Sequence, residues 1–217
     1  LNAGHYLPIA EAVARAALAD LPAGTAASIL DAGCGEGYYL RQLAAAATSA
    51  GQPLAVLGLD ISKWATLAAA KQDPQPNLVV GSNANLPVLP GTLDRVLCLF
   101  GFPVYPEFAR VLKPGGRLLQ VDAGPNHLRE LREIIYPTLK PQRTTEPLVP
   151  EGFTPLPGET VTFMLELNGT EQIADLLAMT PHLYRASAEG RAKSAMLAQI
   201  SLAVEVRLTR FERVTCG

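Results

Sequence analysis

The sequence predicts an α/β fold in which a doubly wound, mostly parallel sheet carries helices on both faces. Short apolar runs that end in Gly or Asp alternate with segments whose apolar residues recur at helical spacing. A glycine-rich stretch, LDAGCGEGYYL at residues 30–40, joins the first such run to a helical segment. Hydrophobic residues make up 48% and charged residues 18% of the 217 residues, a globular composition. A chain of this length fits a single domain over residues 1–217.

The two periodicities place the elements in order along the chain. Apolar runs predict strands at residues 27–33, 54–60, 77–82, 92–100, 117–123, 160–167 and 200–211. Helical spacing predicts helices at residues 6–21, 38–51, 62–72, 105–116, 126–136, 169–179 and 188–199. Pro8 fits a first helical turn, Gly51 a helix end and Ser62 an N-cap, while Pro114 and the two glycines after it are expected to end a helix. The result is a seven-stranded sheet.

The segment after the fifth predicted helix differs in composition. Residues 137–157 contain six prolines without a clear period, which predicts a loop or lid rather than a linker between domains. Residues 158–217 then supply the strands and helices that complete the sheet. The last strand alternates apolar and polar residues, as an antiparallel strand does.

Composition and charge exclude several classes of function. The net charge is −2, so an RNA partner would have to be held by a local basic patch. No apolar run reaches the roughly 20 residues of a membrane helix, so we expect no membrane association. Cys34, Cys98 and Cys216 lie too far apart for a disulfide framework or a zinc knuckle, which predicts a reducing cytoplasm and no metal.

Gly33, Gly35 and Gly37 mark the turn between the first strand and the next helix. In an open α/β sheet, ligands bind at this edge, where bare backbone and free N–H groups receive them. Dinucleotides and S-adenosylmethionine are the two candidate ligands. The dinucleotide fingerprint needs a third glycine where this chain has Tyr38, which disfavours a nicotinamide cofactor. Turn glycines by themselves also fit a purely structural bend.

Two acids complete the cofactor pattern. Asp31 begins the glycine stretch, which matches the D/E-x-G-x-G-x-G loop of class I methyltransferases. Asp60 ends the second strand, where it can accept hydrogen bonds from ribose hydroxyls. The stretch GSNANLPVLPGTLDRV resembles the segment in which these enzymes carry an adenine-binding aspartate. Ser82 stands at that position, which leaves adenine recognition to backbone groups or to Asn83.

The flanking segments carry a narrower resemblance. LNAGHYLPI, LDAGCGEGYYL, GLDISKWATLAAAK, ARVLKPGG, GPNHLRELREIIY and LLAMTPHLYRA together resemble the bacterial 23S rRNA (guanine-N1)-methyltransferases. The likeness runs to about Arg185. It implies a Rossmann-like class I methyltransferase fold, S-adenosylmethionine as cofactor and an rRNA hairpin as partner, and some family members confer macrolide resistance.

The resemblance also assigns roles to individual residues. It implies cofactor contacts for Tyr6, for Gly35 and Glu36 in the glycine loop, and for His127 in the GPNHL segment. Each residue also has a structural interpretation. Tyr6 can be a hydrophobic staple, Glu36 a first-turn acid favoured by the helix dipole, and His127 a solvated first-turn residue.

The sequence departs from the family in two places. Family members carry an N-terminal zinc-binding module, and RNA docking is expected to need it. This chain lacks the module and begins without methionine, which fits either truncation or a chain that never had the module. The segment LFGFPVYPE also differs from the family's Tyr-Ala-Pro region, which shapes the pocket for the target base. The oligomeric state, monomer or homodimer, stays open.

The sequence names no catalytic residue. Asp122 could reach the cleft, although a structural role at a strand end is favoured. Phe100, Phe102 and Tyr105 are placed to stack a splayed-out base. The cations expected near RNA phosphates are Arg129, Arg132, Lys140 and Arg143.

Three hypotheses therefore remain. The chain is an rRNA guanine-N1 methyltransferase, a class I methyltransferase of a small molecule, or a binding module without catalysis.

Overall fold

The chain folds around one mixed sheet of seven strands. The structure is a computed structural model that describes residues 4–138, 149–178, 180 and 186–214. The strands are β1 Ala27–Ala32, β2 Leu54–Asp60, β3 Asn77–Val80, β4 Leu93–Leu99, β5 Leu112–Ala123, β6 Phe153–Asn168 and β7 Gln199–Arg213. Their order is β3-β2-β1-β4-β5-β7-β6, and the pairs β1–β2, β1–β4, β2–β3 and β4–β5 are parallel. The last strand is antiparallel, which confirms the predicted Rossmann-like α/β fold.

Helices connect the strands at the places where helical spacing predicts them. Among the described residues they are α1 Leu7–Leu18, α2 Tyr38–Ser49, α3 Lys63–Gln72, α4 Tyr105–Val111, α5 Arg129–Ile135, α6 Thr170–Ala178 and α7 Ala188–Ala195. Pro8 lies in the first turn of α1, and the Ser62 hydroxyl caps α3 by accepting the Ala65 N–H at 3.3 Å. Within the described ranges, no helix has both the length and the apolar character needed to cross a lipid bilayer.

The predicted boundaries around β5 and β6 differ most from the structure. The fourth helix ends at Val111, and Pro114 with its two glycines lies inside β5. The pairing of β4 with β5 is irregular there, since Leu93 pairs with Leu112 whereas Arg95 pairs with Arg117. The β5 residues between Leu112 and Arg117 leave the regular ladder here, and such irregular positions are the usual place for Pro and Gly in a strand.

The predicted loop at residues 137–157 ends earlier than expected, because β6 starts at Phe153. Residues 139–148 of that loop, which include Lys140 and Arg143, lie outside the described residues. Cys216 also lies outside them.

The chain divides into two compact units. The first comprises Leu1–Asp122, Pro147–Glu159 and Arg207–Gly217, and the second comprises Ala123–Glu146 and Thr160–Val206. In the first unit the central strands are buried on both sides, as the near-continuous burial of β1 and β4 shows. In the second unit α5, α6 and α7 bury apolar side chains such as Leu131 and Ile173. The single-domain prediction for residues 1–217 stays a prediction.

Candidate cofactor and acceptor cleft

An open cleft of about 370 Å³ lies at the carboxyl ends of β1, β2, β3 and β4. All of its lining belongs to the first unit. The lining residues are Ala32, Gly33, Leu59, Asp60, Ile61, Gly81, Ser82, Asn83, Ala84, Leu99, Phe100, Gly101, Phe102 and Val104. This is the edge at which an open α/β sheet binds its ligands, and the volume lies within the usual range for small-molecule sites.

The glycine loop, residues 33–37, has left-handed backbone at each glycine. The φ angles of Gly33, Gly35 and Gly37 are +105°, +55° and +77°, which explains the residue type. A Cβ at Gly33 or Gly35 would meet no atom within 4 Å, so this backbone borders open space. A Cβ at Gly37 would lie 3.2 Å from the Ala69 side chain, so Gly37 serves helix packing.

Backbone bonds hold the glycine loop against the end of β2. The N–H groups of Gly33 and Cys34 both donate to the Leu59 carbonyl, at 2.7 and 3.0 Å. The Asp60 carboxylate accepts the Gly35 N–H at 2.8 Å and the Ser62 N–H at 2.7 Å. Asp60 therefore organises the turns after β1 and β2 while it lines the cleft. Its remaining lone pairs suit ribose hydroxyls.

Asp31 lies beneath the loop rather than in the cleft. Its side chain is 1% exposed, and neither carboxyl oxygen has a hydrogen-bond partner among the described residues. Burial, and to a smaller extent the negative charge of Asp60, raises the pKa of Asp31 from 3.8 to about 7. The carboxyl group is therefore poised between its neutral and ionised forms near neutral pH.

Glu36 contacts the neighbouring helices. Its carboxylate accepts a hydrogen bond from the Gln72 amide at 3.2 Å, and its carbonyl accepts one from the Arg41 guanidinium at 2.6 Å. Glu36 and Gly37 are not among the residues that line the cleft.

Tyr6 supports the cleft through an aromatic cluster. Its ring is buried and packs edge-on against Phe100, with centroids 6.5 Å apart and planes at 82°. The Tyr39 ring lies 6.4 Å from the same Phe100 ring. Burial raises the pKa of the Tyr6 phenol to about 12, so this phenol stays protonated. Phe100 lines the cleft with left-handed backbone at φ +55°, so the backbone is strained at the site.

Asn83 lines the cleft, yet its amide bonds to protein. Nδ2 donates to the carbonyls of Ala32 and Phe102, at 3.3 Å each. Oδ1 is out of solvent contact and has no partner in the part of the chain that the structure describes. The predicted adenine contact thus lacks an accessible acceptor in this conformation.

His127 belongs to the second unit, in a turn before α5. The backbone N–H of His127 donates to the Gly124 carbonyl at 3.2 Å. The Arg132 guanidinium donates to the carbonyls of Pro125 and His127, at 3.0 and 3.3 Å, and thereby fixes the turn. Arg129 pairs instead with the Glu133 carboxylate at 2.8 Å. These two predicted phosphate contacts are therefore engaged within the protein.

Two features of this edge were missed at the level of sequence. Ile61 follows Asp60, lines the cleft and is largely exposed, an apolar residue where a polar helix start would be expected. Gln120 donates to the Asp122 carboxylate at 2.7 Å and accepts the Tyr105 hydroxyl at 3.0 Å. The signal was present, because Gln120 and Asp122 are alternate polar residues within the apolar segment 118–123 that ends β5.

Comparison with known proteins agrees with this geometry. Residues 29–116 match the family model described as a methyltransferase domain. A Micromonospora griseorubida protein, provisionally named a 23S rRNA (guanine-N1)-methyltransferase, is 30% identical over 99% of this chain and 77% of its own length. The chain belongs to the 23S rRNA (guanine-N1)-methyltransferase family.

A second relative of this family matches the chain over a shorter region. The 23S rRNA (guanine(748)-N(1))-methyltransferase of Streptomyces fradiae is 34% identical over 60% of this chain. The match covers 46% of that enzyme, so the chain spans about half the length of this curated relative.

A solved structure shows the same fold. A geranyl diphosphate methyltransferase, in complex with geranyl diphosphate and sinefungin, shares a TM-score of 0.51 at 18% identity, over 95% of this chain and 77% of that one. At this identity the likeness establishes the fold alone.

The cofactor of the methyltransferases in this family is S-adenosylmethionine. The residues present fit it: bare backbone at Gly33 and Gly35 admits close approach, and Asp60 offers carboxylate oxygens to hydroxyl groups. When bound, S-adenosylmethionine supplies an activated methyl group on a sulfonium.

Proposed function

We propose that the chain transfers a methyl group from S-adenosylmethionine to N1 of a guanine in a hairpin loop of 23S rRNA. The observation that carries this proposal is an exposed aromatic ring beside the cofactor loop. Phe102 is 90% exposed, and it lines the same cleft as Gly33 and Asp60. Two further exposed apolar side chains, Ile61 and Phe100, line the same cleft, and contiguous exposed apolar surface marks interaction sites. Aromatic platforms of this kind stack bases splayed out of RNA loops.

The residues of the cleft and of the glycine loop beside it then divide the work. Gly33 and Gly35 admit the cofactor, Asp60 accepts hydrogen bonds from its ribose, and Phe102 stacks the guanine. Methyl transfer is an in-line displacement, so positioning supplies much of the rate, on the order of 7–11 kcal/mol in well-oriented systems. Methylation also releases the proton that N1 of neutral guanine carries. Asp122 is the carboxylate at the end of β5, but its bond to Gln120 suits a fixed structural group better than a free base, so we assign this proton to solvent.

The partner in this proposal is the rRNA hairpin, and the compartment is the cytoplasm. The family relatives support both, since their names give 23S rRNA as substrate. Two features of the assembly are left to experiment, namely a homodimer and a zinc-binding module encoded upstream. We propose that residues 1–217 act as one methyltransferase domain.

The test is methyl transfer to unmodified 23S rRNA, mapped by reverse-transcriptase stops. Methylation at N1 blocks the pairing edge of guanine, so each stop reports the modified position. The chain is assayed beside a longer version that carries any sequence encoded upstream. A stop at one hairpin guanine supports the proposal. Cofactor binding by calorimetry with no stop from either version refutes it.

Methylation of a small molecule is the second candidate. The Glu133 carboxylate offsets the charge of Arg129, and the Arg132 guanidinium already donates to two backbone carbonyls, which leaves fewer cationic donors for phosphates. The net charge of −2 points the same way. This candidate predicts turnover without RNA.

A further inference from the structure

The Asn83 side chain ties together two loops of the cleft. Its Nδ2 donates to the carbonyl of Ala32, at the end of β1, and to the carbonyl of Phe102, in the loop after β4. The opposite orientation of the amide would place Oδ1 against two carbonyl oxygens, which is repulsive. The partners therefore determine the orientation.

The loop at residues 100–104 is anchored from more than one side. The Phe100 N–H donates to the Val121 carbonyl at 2.8 Å, and the left-handed Phe100 turns the chain outward. Past this point, the Asn83 amide holds the Phe102 carbonyl. Because the Phe102 ring is 90% exposed and packs against little, the position of the ring depends on the backbone that carries it.

We propose that Asn83 is a positioning residue for the methyl acceptor, which acts through Phe102, rather than a ligand of the cofactor. The inaccessible Oδ1 and the two engaged donor contacts of Nδ2 carry this assignment. The inference rests on the proposed function. Asn83, a candidate for adenine recognition in the sequence, thereby receives a role on the acceptor side of the cleft.

The first test is Asn83→Asp, which keeps the shape but replaces the amide donor by a carboxylate oxygen. Loss of two neutral hydrogen bonds predicts a fall of about tenfold or more in kcat/KM for the rRNA fragment. S-adenosylmethionine affinity, measured by calorimetry, should change by less than about threefold, since no direct contact is removed. The reverse pattern, weakened cofactor binding with normal kcat at saturating cofactor, would overturn the inference.

A matched control lies two residues away. Asn85 is an exposed asparagine of the same loop and is not among the residues that line the cleft. Asn85→Ala should leave both measurements at the values of the unaltered chain. Thermal unfolding of all variants separates a local effect from loss of folding.

A double-mutant cycle tests the route through Phe102. If Asn83 acts by positioning that ring, Asn83→Asp should cause no further loss of kcat/KM in a Phe102→Ala background. Independent, additive losses would show that Asn83 acts elsewhere and would refute the proposal.

A fluorescence measurement tests the same link without activity. The chain has one tryptophan, Trp64, so Trp64→Phe combined with Phe102→Trp leaves a single reporter in the loop. Its anisotropy decay should show a faster local motion once Asn83→Asp is added. Equal decays would contradict the positioning role even if no RNA were methylated. Absent methylation with unequal decays would instead refute only the proposed function.

Discussion

Substitution of Asp31 by Asn should remove a pH dependence from the stability of the protein. Asp31 is 1% exposed, and its carboxyl oxygens have no hydrogen-bond partner among the described residues. An ionised carboxylate in such a place is costly, because burial removes it from solvent and no described residue donates a hydrogen bond to it. The neutral acid is tolerated, and so is the amide of asparagine, which has nearly the same shape.

The magnitude follows from the pKa of Asp31, which burial and the charge of Asp60 raise from 3.8 to about 7. Between these two values the unfolded chain releases the proton while the folded chain retains it. The stabilisation that Asp31 gains by holding its proton more tightly in the folded chain is therefore fully present below about pH 4. It is lost as the pH rises through about 7. A difference of this size corresponds to about 4 kcal/mol in the free energy of unfolding.

The assay is urea unfolding of the unaltered chain and of Asp31→Asn at several pH values from 4.5 to 8.5. The unaltered chain should lose up to about 4 kcal/mol relative to the variant across this range, because groups common to both cancel. Asp175→Asn, at an exposed position on α6, should follow the unaltered chain. Parallel curves for the unaltered chain and Asp31→Asn would refute the reasoning, since they would show that Asp31 does not change ionisation on folding.

Three further outcomes test the site and the core. Gly35→Ala should cost about 1 kcal/mol in stability from left-handed strain. The added Cβ on the open backbone should also weaken S-adenosylmethionine binding in calorimetry by about tenfold or more. Gly91→Ala, with φ +65° and equally open space, should show the same strain with unchanged affinity; weakened binding there would implicate general destabilisation. Phe102→Ala should lower kcat/KM for rRNA by about tenfold or more while unfolding by urea stays unchanged, and unchanged kinetics would remove Phe102 from the acceptor site. Arg95→Met should lower the free energy of unfolding in urea by about 2–4 kcal/mol, because the buried guanidinium donates to the carbonyls of Ala17 and Ala19 at the end of α1. A loss below about 1 kcal/mol would contradict this capping role.

Most element types were predictable, whereas several boundaries were not. Strands such as β1 and β4 are buried on both sides and read as continuous apolar runs, and α1 to α3 repeat apolar residues at helical spacing. Pro114 and its two glycines were expected to end a helix because they break local structure. In the folded chain they form an irregular stretch of β5, since pairing with β4 around Leu93 supplies hydrogen bonds that local sequence does not reveal.

By itself, the sequence determined the glycine loop and the order of acids around it. Left-handed turns require glycine at Gly33 and Gly35, and the Asp60 carboxylate stands at the end of β2. These are local constraints that appear directly in the residue types. Only the tertiary structure decided that Asp31 is buried without a partner, that Tyr6 supports Phe100, and that the Asn83 amide bridges two loops. Each of these depends on contacts between residues far apart in the chain, and such contacts exist only once the sheet has assembled.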